Sequence, residues 1–358
     1  MRMSFAGSIL ALCLSLGSGD AARAQVPAPV STPLATQVPQ PGAIVEIIRK
    51  RGTVRCGVQG PSNPGFGAVD SRGAWQGFNI DLCRGIAAMA LGDPTKTTIV
   101  ALTTETRFPA LQSGEIDVMT NNTTWTMLRD TQLGFAFPAI TFYDGQGIMV
   151  RKASGIDSAA KLGGATICVP PGTTTEVQLN DWFRARKLTF TPVIIEGRNE
   201  LTQAYATGRC DAITYDSTTL FSQRTTLPDP DAHVILPERL SKEPLTVTVR
   251  VGDDRFREMV AWTVYTLINA EELGVTKANV HEMLGSPDPQ VRRLLGVEGE
   301  LGRGLGIADD FAVTLISAVG NYGEMFERNL GSGSALHIER GLNNLYTKGG
   351  ILYAPPNR

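Results

Sequence analysis

The sequence predicts an α/β protein built from two similar lobes. Three observations carry that reading. From Ala43 onward helical and strand patterns alternate, the alternation starts again after Gly145, and one ten-residue stretch of the first half has a weak counterpart in the second. Strands separated by helical crossovers build largely parallel sheets. A chain of 358 residues has room for two or three domains.

Composition narrows the class. With 42% hydrophobic and 19% charged residues the chain is neither generally disordered nor a multi-span membrane protein. A formal net charge of −2 offers no basic footprint for nucleic acid.

The N-terminus reads as an export signal. Arg2 supplies the positive start, Phe5 to Leu16 is an apolar run, and Ala22-Arg23-Ala24 is a small-x-small cleavage site. The run is too short to span a membrane, and Gly17-Ser18-Gly19 ends it at once. Cleavage after Ala24 and delivery to an oxidising, extracytoplasmic compartment are therefore expected. From Gln25 to Pro41 the chain is uncharged and carries five prolines, the composition of an extended tether.

The folded part then begins near Ala43. Strands are expected at 53–58, 97–101 and 116–119, with helices at 80–90 and 106–112 between them. The second half repeats the order, with strands at 165–169, 193–195 and 212–214 and helices at 175–186 and 199–207. The internal counterpart is 111–120 (LQSGEIDVMT) against 205–214 (YATGRCDAIT). Each reads as a helix ended by a left-handed glycine cap, then Asp, then a strand. Asn121-Asn122 and Tyr215-Asp216 fall just past the ends of comparable strands, where open α/β sheets bind ligands. Two lobes with polar groups at equivalent ends predict one cleft between them.

Loss of the signal removes Cys13 and leaves Cys56, Cys83, Cys168 and Cys210. Four cysteines allow three pairings. The local choice, two per half, is Cys56–Cys83 and Cys168–Cys210, with buried free thiols as the alternative. A zinc site is disfavoured by the cysteine spacing and by a total of three histidines.

Three constellations carry the cleft's chemistry. Residues 170–176 (PPGTTTE) follow a strand and open a helix, with Thr173 and Glu176 at capping-box spacing. Such a helix start either binds an anion or is simply a cap. Residues 121–130 (NNTTWTMLRD) are rich in hydrogen-bonding groups, and Arg129 offers a fork for a carboxylate, unless it pairs with Asp130. Asp216 can bind a cation, act as a base, or cap the helix that follows. Catalytic motifs are missing: there is no Gly-x-Ser-x-Gly, His-Glu-x-x-His or Gly-x-x-x-x-Gly-Lys, and His233, His281 and His337 lie outside these segments. Binding is favoured over catalysis, with no cofactor and no metal implied.

Eight stretches carry a family resemblance: 51–58 (RGTVRCGV), 77–84 (GFNIDLCR), 107–114 (RFPALQSG), 121–130, 143–147 (YDGQG), 172–176, 319–328 (VGNYGEMFER) and 353–356 (YAPP). Through them the chain resembles the polar amino-acid substrate-binding proteins of ABC transporters, specifically the general L-amino-acid subfamily of Gram-negative periplasms. The resemblance implies a two-lobed periplasmic-binding-protein (Venus-flytrap) fold with a two-strand hinge. It implies a periplasmic receptor that closes on an L-amino acid and delivers it to a membrane permease with its ATPase.

Carried over residue by residue, Arg129 looks like the clamp of the ligand α-carboxylate, with Thr174 as the second clamp from the other lobe. Asp216 looks like the acceptor of the α-ammonium, and Asn122 (through its backbone) and Thr124 complete the two shells. Arg107 matches an arginine that reaches the side chain of acidic ligands, and Phe66 lies in a loop that supplies an aromatic wall. Asn79 stands where relatives have Asp. The expected organisation is a signal peptide at 1–24, a linker at 25–42, lobe 1 at 43–145, lobe 2 at 146–246, a return to lobe 1 at 247–284, and a helical C-terminal extension at 285–358 packed on the lobes. The competing class is an enzyme on the same fold, such as a periplasmic dehydratase acting on an amino-acid-like substrate.

Overall fold

The computed structural model describes residues 42–358. The expected signal at 1–24 and all but the last residue of the expected linker lie outside the described residues.

Lobe 1 opens with helix Ala43–Arg51, whose apolar face buries Ile44, Val45 and Ile48. Strand Val54–Gln59 lies parallel to both Thr97–Leu102 and Val118–Thr124. Helices Phe78–Leu91 and Arg107–Ser113 make the crossovers. Lobe 2 repeats the plan. Strand Thr166–Val169 lies between Thr191–Ile194 and Ala212–Asp216 and is parallel to both, and helices Thr174–Ala185 and Arg198–Ala206 connect them.

The two ten-residue counterparts are structurally equivalent. Gly114 and Gly208 are both left-handed, at φ 81° and 87°. The aspartate that follows each accepts the amide of the neighbouring strand at 2.8 Å, Asp117 from Arg55 and Asp211 from Thr166. Each thereby pins the start of its strand to the strand beside it.

The chain crosses between lobes twice. Strand Ile140–Asp144 leaves lobe 1, turns at Gly145, and continues as Gln146–Arg151 of lobe 2. A Cβ at Gly145 would sit 2.8 Å from the Ser241 carbonyl on the returning segment, so the two crossings approach too closely there for a side chain. The return strand Glu243–Arg250 is antiparallel to Ile140–Asp144, with Glu243 opposite Asp144. It therefore joins the lobe 1 sheet from its first residue, ahead of the expected boundary at 247. Both sheets are mixed rather than largely parallel, because a chain that crosses and comes back must run in opposite directions at the hinge.

The C-terminal extension packs into the lobe 1 core, which takes in Leu315, Ile316, Tyr322 and Phe326. Helices Pro289–Leu294, Leu301–Leu305, Phe311–Val319 and Tyr322–Asn329 form its helical part, and beyond residue 330 the chain is irregular apart from two short 3₁₀ turns. Asn321 and Glu324 close a full capping box. The extension also grips the outgoing hinge strand. Asn343 accepts the Tyr143 amide at 2.7 Å and donates to the Tyr143 carbonyl at 3.0 Å, and the Tyr322 hydroxyl donates to the Thr141 carbonyl at 2.9 Å.

Two disulfides join buried cysteines, Cys56 to Cys83 in lobe 1 and Cys168 to Cys210 in lobe 2. The first ties strand Val54–Gln59 to helix Phe78–Leu91, and the second ties strand Thr166–Val169 to the turn that leads into strand Ala212–Asp216. Among the described residues no helix is long and apolar enough to cross a membrane.

Candidate ligand-binding cleft

The lobes meet over a chamber lined from both sides. Lobe 1 contributes Gln59, Thr104, Arg107, Asn122, Thr124 and Arg129. Lobe 2 contributes Thr173 to Thr175, Arg198, Tyr215, Asp216 and Thr219. Side chains bond across the cleft: Arg198 donates to Gln59, and Asn199 donates to Ser62 at 3.0 Å. The structure is thus the closed form.

Arg129 sits in helix Met127–Gln132, whose N-cap Thr126 accepts the Arg129 amide. Its guanidinium is buried and donates to the Thr124 carbonyl at 2.8 Å. Asp130 instead accepts the Trp125 indole at 3.1 Å, so the local pairing that would occupy Arg129 does not form. Arg107, at the start of helix Arg107–Ser113, is buried beside it. The two guanidinium groups flank the Phe108 ring, at 4.7 Å and 5.2 Å from its centroid. Burial, and then repulsion by Arg129, pushes Arg107 down to about 9, which leaves it a cation at neutral pH.

Asp216 ends strand Ala212–Asp216 and precedes helix Ser217–Arg224, yet its side chain makes no cap hydrogen bond. Asp144, from the hinge, caps that helix by accepting the Thr218 amide and hydroxyl at 3.1 Å and 2.6 Å. The Asp216 carboxylate is left facing the chamber. Burial, followed by the nearby carboxylates of Glu243 and Asp144, holds it well above the usual carboxylate range. A cation from a ligand would reverse that.

Thr124 and Thr174 approach across the lobes, with hydroxyl oxygens 3.4 Å apart. Both donate to the same oxygen of Glu243, Thr174 at 3.2 Å, while Ser241 donates to the other at 2.5 Å. A buried hinge carboxylate therefore collects hydroxyls from both lobes and from the returning segment. Thr173 caps the lobe 2 helix as expected, accepting the Glu176 amide at 3.2 Å. The Glu176 carboxylate turns back to the Gly172 amide at 2.9 Å rather than to that of Thr173.

Asn122 lies inside strand Val118–Thr124, which runs further than the expected 116–119, so the Asn pair is in the strand and not past its end. The Asn122 side-chain oxygen accepts from the Asn79 side-chain amide at 3.1 Å. Asn79 thus supports a cleft residue at the position where the sequence departs from the family pattern.

One expected site residue is elsewhere. Phe66 is fully buried in lobe 1, with its ring 6.5 Å from Phe78 and 6.2 Å from Phe142. Its loop folds into a small three-stranded sheet, Ser62–Asn63, Gly67–Val69 and Trp75–Gln76, which turns the ring into the core. Phe66 is therefore not a wall of the chamber.

Four lining residues were not anticipated: Gln59, Thr104, Arg198 and Thr219. Gln59, Thr104 and Arg198 all fall at or just past a strand end, so the rule that singled out Asp216 would have found them if applied to every strand. Glu243 gave no comparable signal, because the return strand carries no marked pattern.

Buried polar atoms cluster at this chamber. Arg107 Nε, Asn122 Nδ2 and Thr104 Oγ1 have no hydrogen-bond partner among the described residues, and Arg198 Nε and Nη1 and the Tyr215 hydroxyl have only each other's vicinity to satisfy them. Buried polar groups are nearly always paired, so this chamber is built for a polar ligand. Among the described residues there is no cluster of His, Cys, Asp and Glu suited to a metal ion.

Comparison with known proteins agrees with this geometry. Residues 54–278 match the model of bacterial extracellular solute-binding proteins, family 3. The chain is 52% identical to the general L-amino acid-binding periplasmic protein AapJ of Rhizobium johnstonii, over 87% of this chain and 92% of that protein. It is 50% identical to the glutamate/glutamine/aspartate/asparagine-binding protein BztA of Rhodobacter capsulatus, over 87% and 92%. A solved ABC transporter periplasmic binding protein from Brucella ovis, with glutathione bound, superposes with a TM-score of 0.86 at 49% identity, over 88% of this chain and 99% of that one. Two lobes, a double-crossing hinge and one polar chamber between them are the family's architecture, and the chain belongs to the bacterial extracellular solute-binding proteins, family 3.

Proposed function

We propose that this chain is the periplasmic receptor of an ABC importer for L-amino acids. The observation that carries the reading is the division of charge across the cleft. Arg129 comes from lobe 1 and Asp216 from lobe 2, and both line the same closed chamber. A zwitterion needs one partner of each sign. Only the closed form offers both, so the ligand shifts the open–closed equilibrium by its differential affinity for that form.

In this reading Arg129 takes the α-carboxylate, with Thr174 and Thr124 at its side, and Asp216 takes the α-ammonium together with the Asn122 backbone. Arg107 reaches toward the ligand side chain. The export signal is cleaved after Ala24, and the closed shape is what the membrane permease reads before its ATPase drives uptake. The chain binds and releases its ligand unchanged.

A thermal-shift screen of the twenty standard L-amino acids, with mass spectrometry of the recovered ligand, tests this. Stabilisation by amino acids that come back intact supports the receptor. A screen with no stabilising amino acid, or a recovered ligand that has lost water or carbon dioxide, overturns it in favour of another ligand or an enzyme.

A further inference from the structure

The outgoing hinge strand Ile140–Asp144 pairs with the return strand Glu243–Arg250 on one side and with no strand on the other. Main-chain groups on such an edge need partners of another kind. Opposite Tyr143 stands Pro244, which has no amide to donate and whose carbonyl accepts the Trp125 amide of lobe 1 at 3.0 Å. The amide and carbonyl of Tyr143 take their partners from the open edge instead. Both belong to one side chain of the C-terminal extension: Asn343 accepts the amide at 2.7 Å and donates to the carbonyl at 3.0 Å. A carboxamide carries acceptor and donors side by side, so Asn343 supplies what a neighbouring strand would. Two residues earlier, the Tyr322 hydroxyl donates to the Thr141 carbonyl at 2.9 Å.

Asn343 is itself held to lobe 1. It is 3% exposed, and its carbonyl accepts Arg340 Nε at 3.0 Å and Nη2 at 2.8 Å. The same guanidinium makes a bidentate pair with Glu271, at 2.8 Å and 3.0 Å, near the end of helix Asp254–Glu272. One residue along the hinge, the attachment changes sides. Asp144 accepts the amide and hydroxyl of Thr218 in lobe 2. Glu243, opposite Asp144, receives the Thr174 hydroxyl of lobe 2. The outgoing chain is therefore fixed to lobe 1 at Tyr143 and to lobe 2 at Asp144, in consecutive residues.

We propose that Asn343 is a positioning residue for lobe closure: through it the extension fixes the outgoing strand to lobe 1 and confines the pivot to Asp144 and Gly145. This rests on the reading of the chain as a receptor that closes on an amino acid. A short pivot makes closing a rotation of two stiff bodies, which returns Thr174 and Asp216 to one place opposite Arg129. A pivot spread back through residues 141–143 leaves more conformations to be lost on closing, and that ordering lowers affinity. Asn343 does not line the chamber, so its effect is the same for every ligand.

The test compares the wild type with Asn343→Leu, which keeps the size and removes both hinge bonds, and with Tyr322→Phe, which removes one hydroxyl. Each is titrated by calorimetry with the two L-amino acids that most stabilise the wild type in thermal melts. Hydrogen exchange over 141–147 is followed by mass spectrometry. Net hydrogen-bond contributions imply that Asn343→Leu weakens both amino acids by one common factor, about three- to tenfold. Exchange over 141–147 should quicken, while strand Thr166–Val169 of lobe 2 exchanges as before. Tyr322→Phe should act in the same direction by a smaller factor, which keeps the test decisive if Asn343→Leu does not fold. A clasp that only supports lobe 1 would lower the melting temperature and leave both affinities unchanged, and that result overturns the proposal. A changed ratio between the two amino acids overturns it as well, because the variant would then act on the chamber. A wild type that binds no amino acid overturns the receptor reading instead. The pivot is then decided by exchange alone, and equal exchange over 141–147 in all three proteins overturns it.

Discussion

Asp144 caps the helix that Asp216 precedes. By accepting both the amide and the hydroxyl of Thr218, the hinge residue takes over the task that an aspartate at the Asp216 position ordinarily performs. The Asp216 carboxylate is thereby released into the chamber. It is also surrounded by unfavourable neighbours, since burial and the carboxylates of Glu243 and Asp144 all disfavour its charged form.

Ligand binding should therefore release a proton. In the free closed cleft Asp216 holds its proton to higher pH than an exposed aspartate, and an incoming ammonium restores the charged form. Affinity should rise with pH until Asp216 ionises on its own. Calorimetry in buffers of different ionisation enthalpy should show a buffer-dependent binding heat, and Asp216→Asn should abolish that dependence.

Glu243 is predicted to hold the closed form together. Its carboxylate accepts hydroxyls of Thr124 from lobe 1 and Thr174 from lobe 2, as well as Ser241. Hydrogen bonds to charged groups contribute about 1.5–3 kcal/mol each. Glu243→Ala should shift the ligand-free protein toward the open form, seen as a larger radius of gyration in small-angle scattering. An unchanged radius together with unchanged affinity would remove Glu243 from the closing machinery.

The disulfides should stabilise each lobe separately. Loops of 27 and 42 residues are closed by Cys56–Cys83 and Cys168–Cys210, and closures of that size contribute about 3–4 kcal/mol each. Replacing either pair with serine should lower the denaturant midpoint while preserving amino-acid binding in the folded protein.

Lobe 2 should lose stability in mild acid. His233 is buried and shares a 2.7 Å hydrogen bond with Tyr205. Burial, and then the neighbouring Arg151, lowers its pKa below the ordinary 6.5. Above 6.5 the ring is neutral whether folded or unfolded, so the full stability is present. As pH falls below 6.5 the unfolded chain takes up a proton that the folded chain resists, and stability declines until the folded pKa is passed. Thermal melts at pH 7.5 and pH 5.5 should differ by more in the wild type than in His233→Gln.

Much of this architecture could be read from residues alone. Alternating elements placed the two lobes, and the repeated glycine–aspartate turn marked equivalent strand starts that Asp117 and Asp211 in fact pin. Arg129, Thr174 and Asp216 could be singled out because each sits where a strand gives way to a helix. Glu243 and Asn343 could not, because what each does depends on segments 119 and 200 residues away, and no local pattern records such a partner. Phe66 shows the opposite failure. An aromatic residue in a cleft-facing loop looks like a wall until the small sheet folds it inward.

Arg129 and Asp216 remain the decisive pair. Breaking a buried charge pair by removing one partner costs about 3–5 kcal/mol, and each 1.4 kcal/mol is about tenfold in affinity. Calorimetric titration of Arg129→Ala and Asp216→Ala with the amino acid that best stabilises the wild type should show affinity reduced by at least about a hundredfold in each. Either variant binding that amino acid as tightly as the wild type would mean that the two lobes do not divide a zwitterion between them.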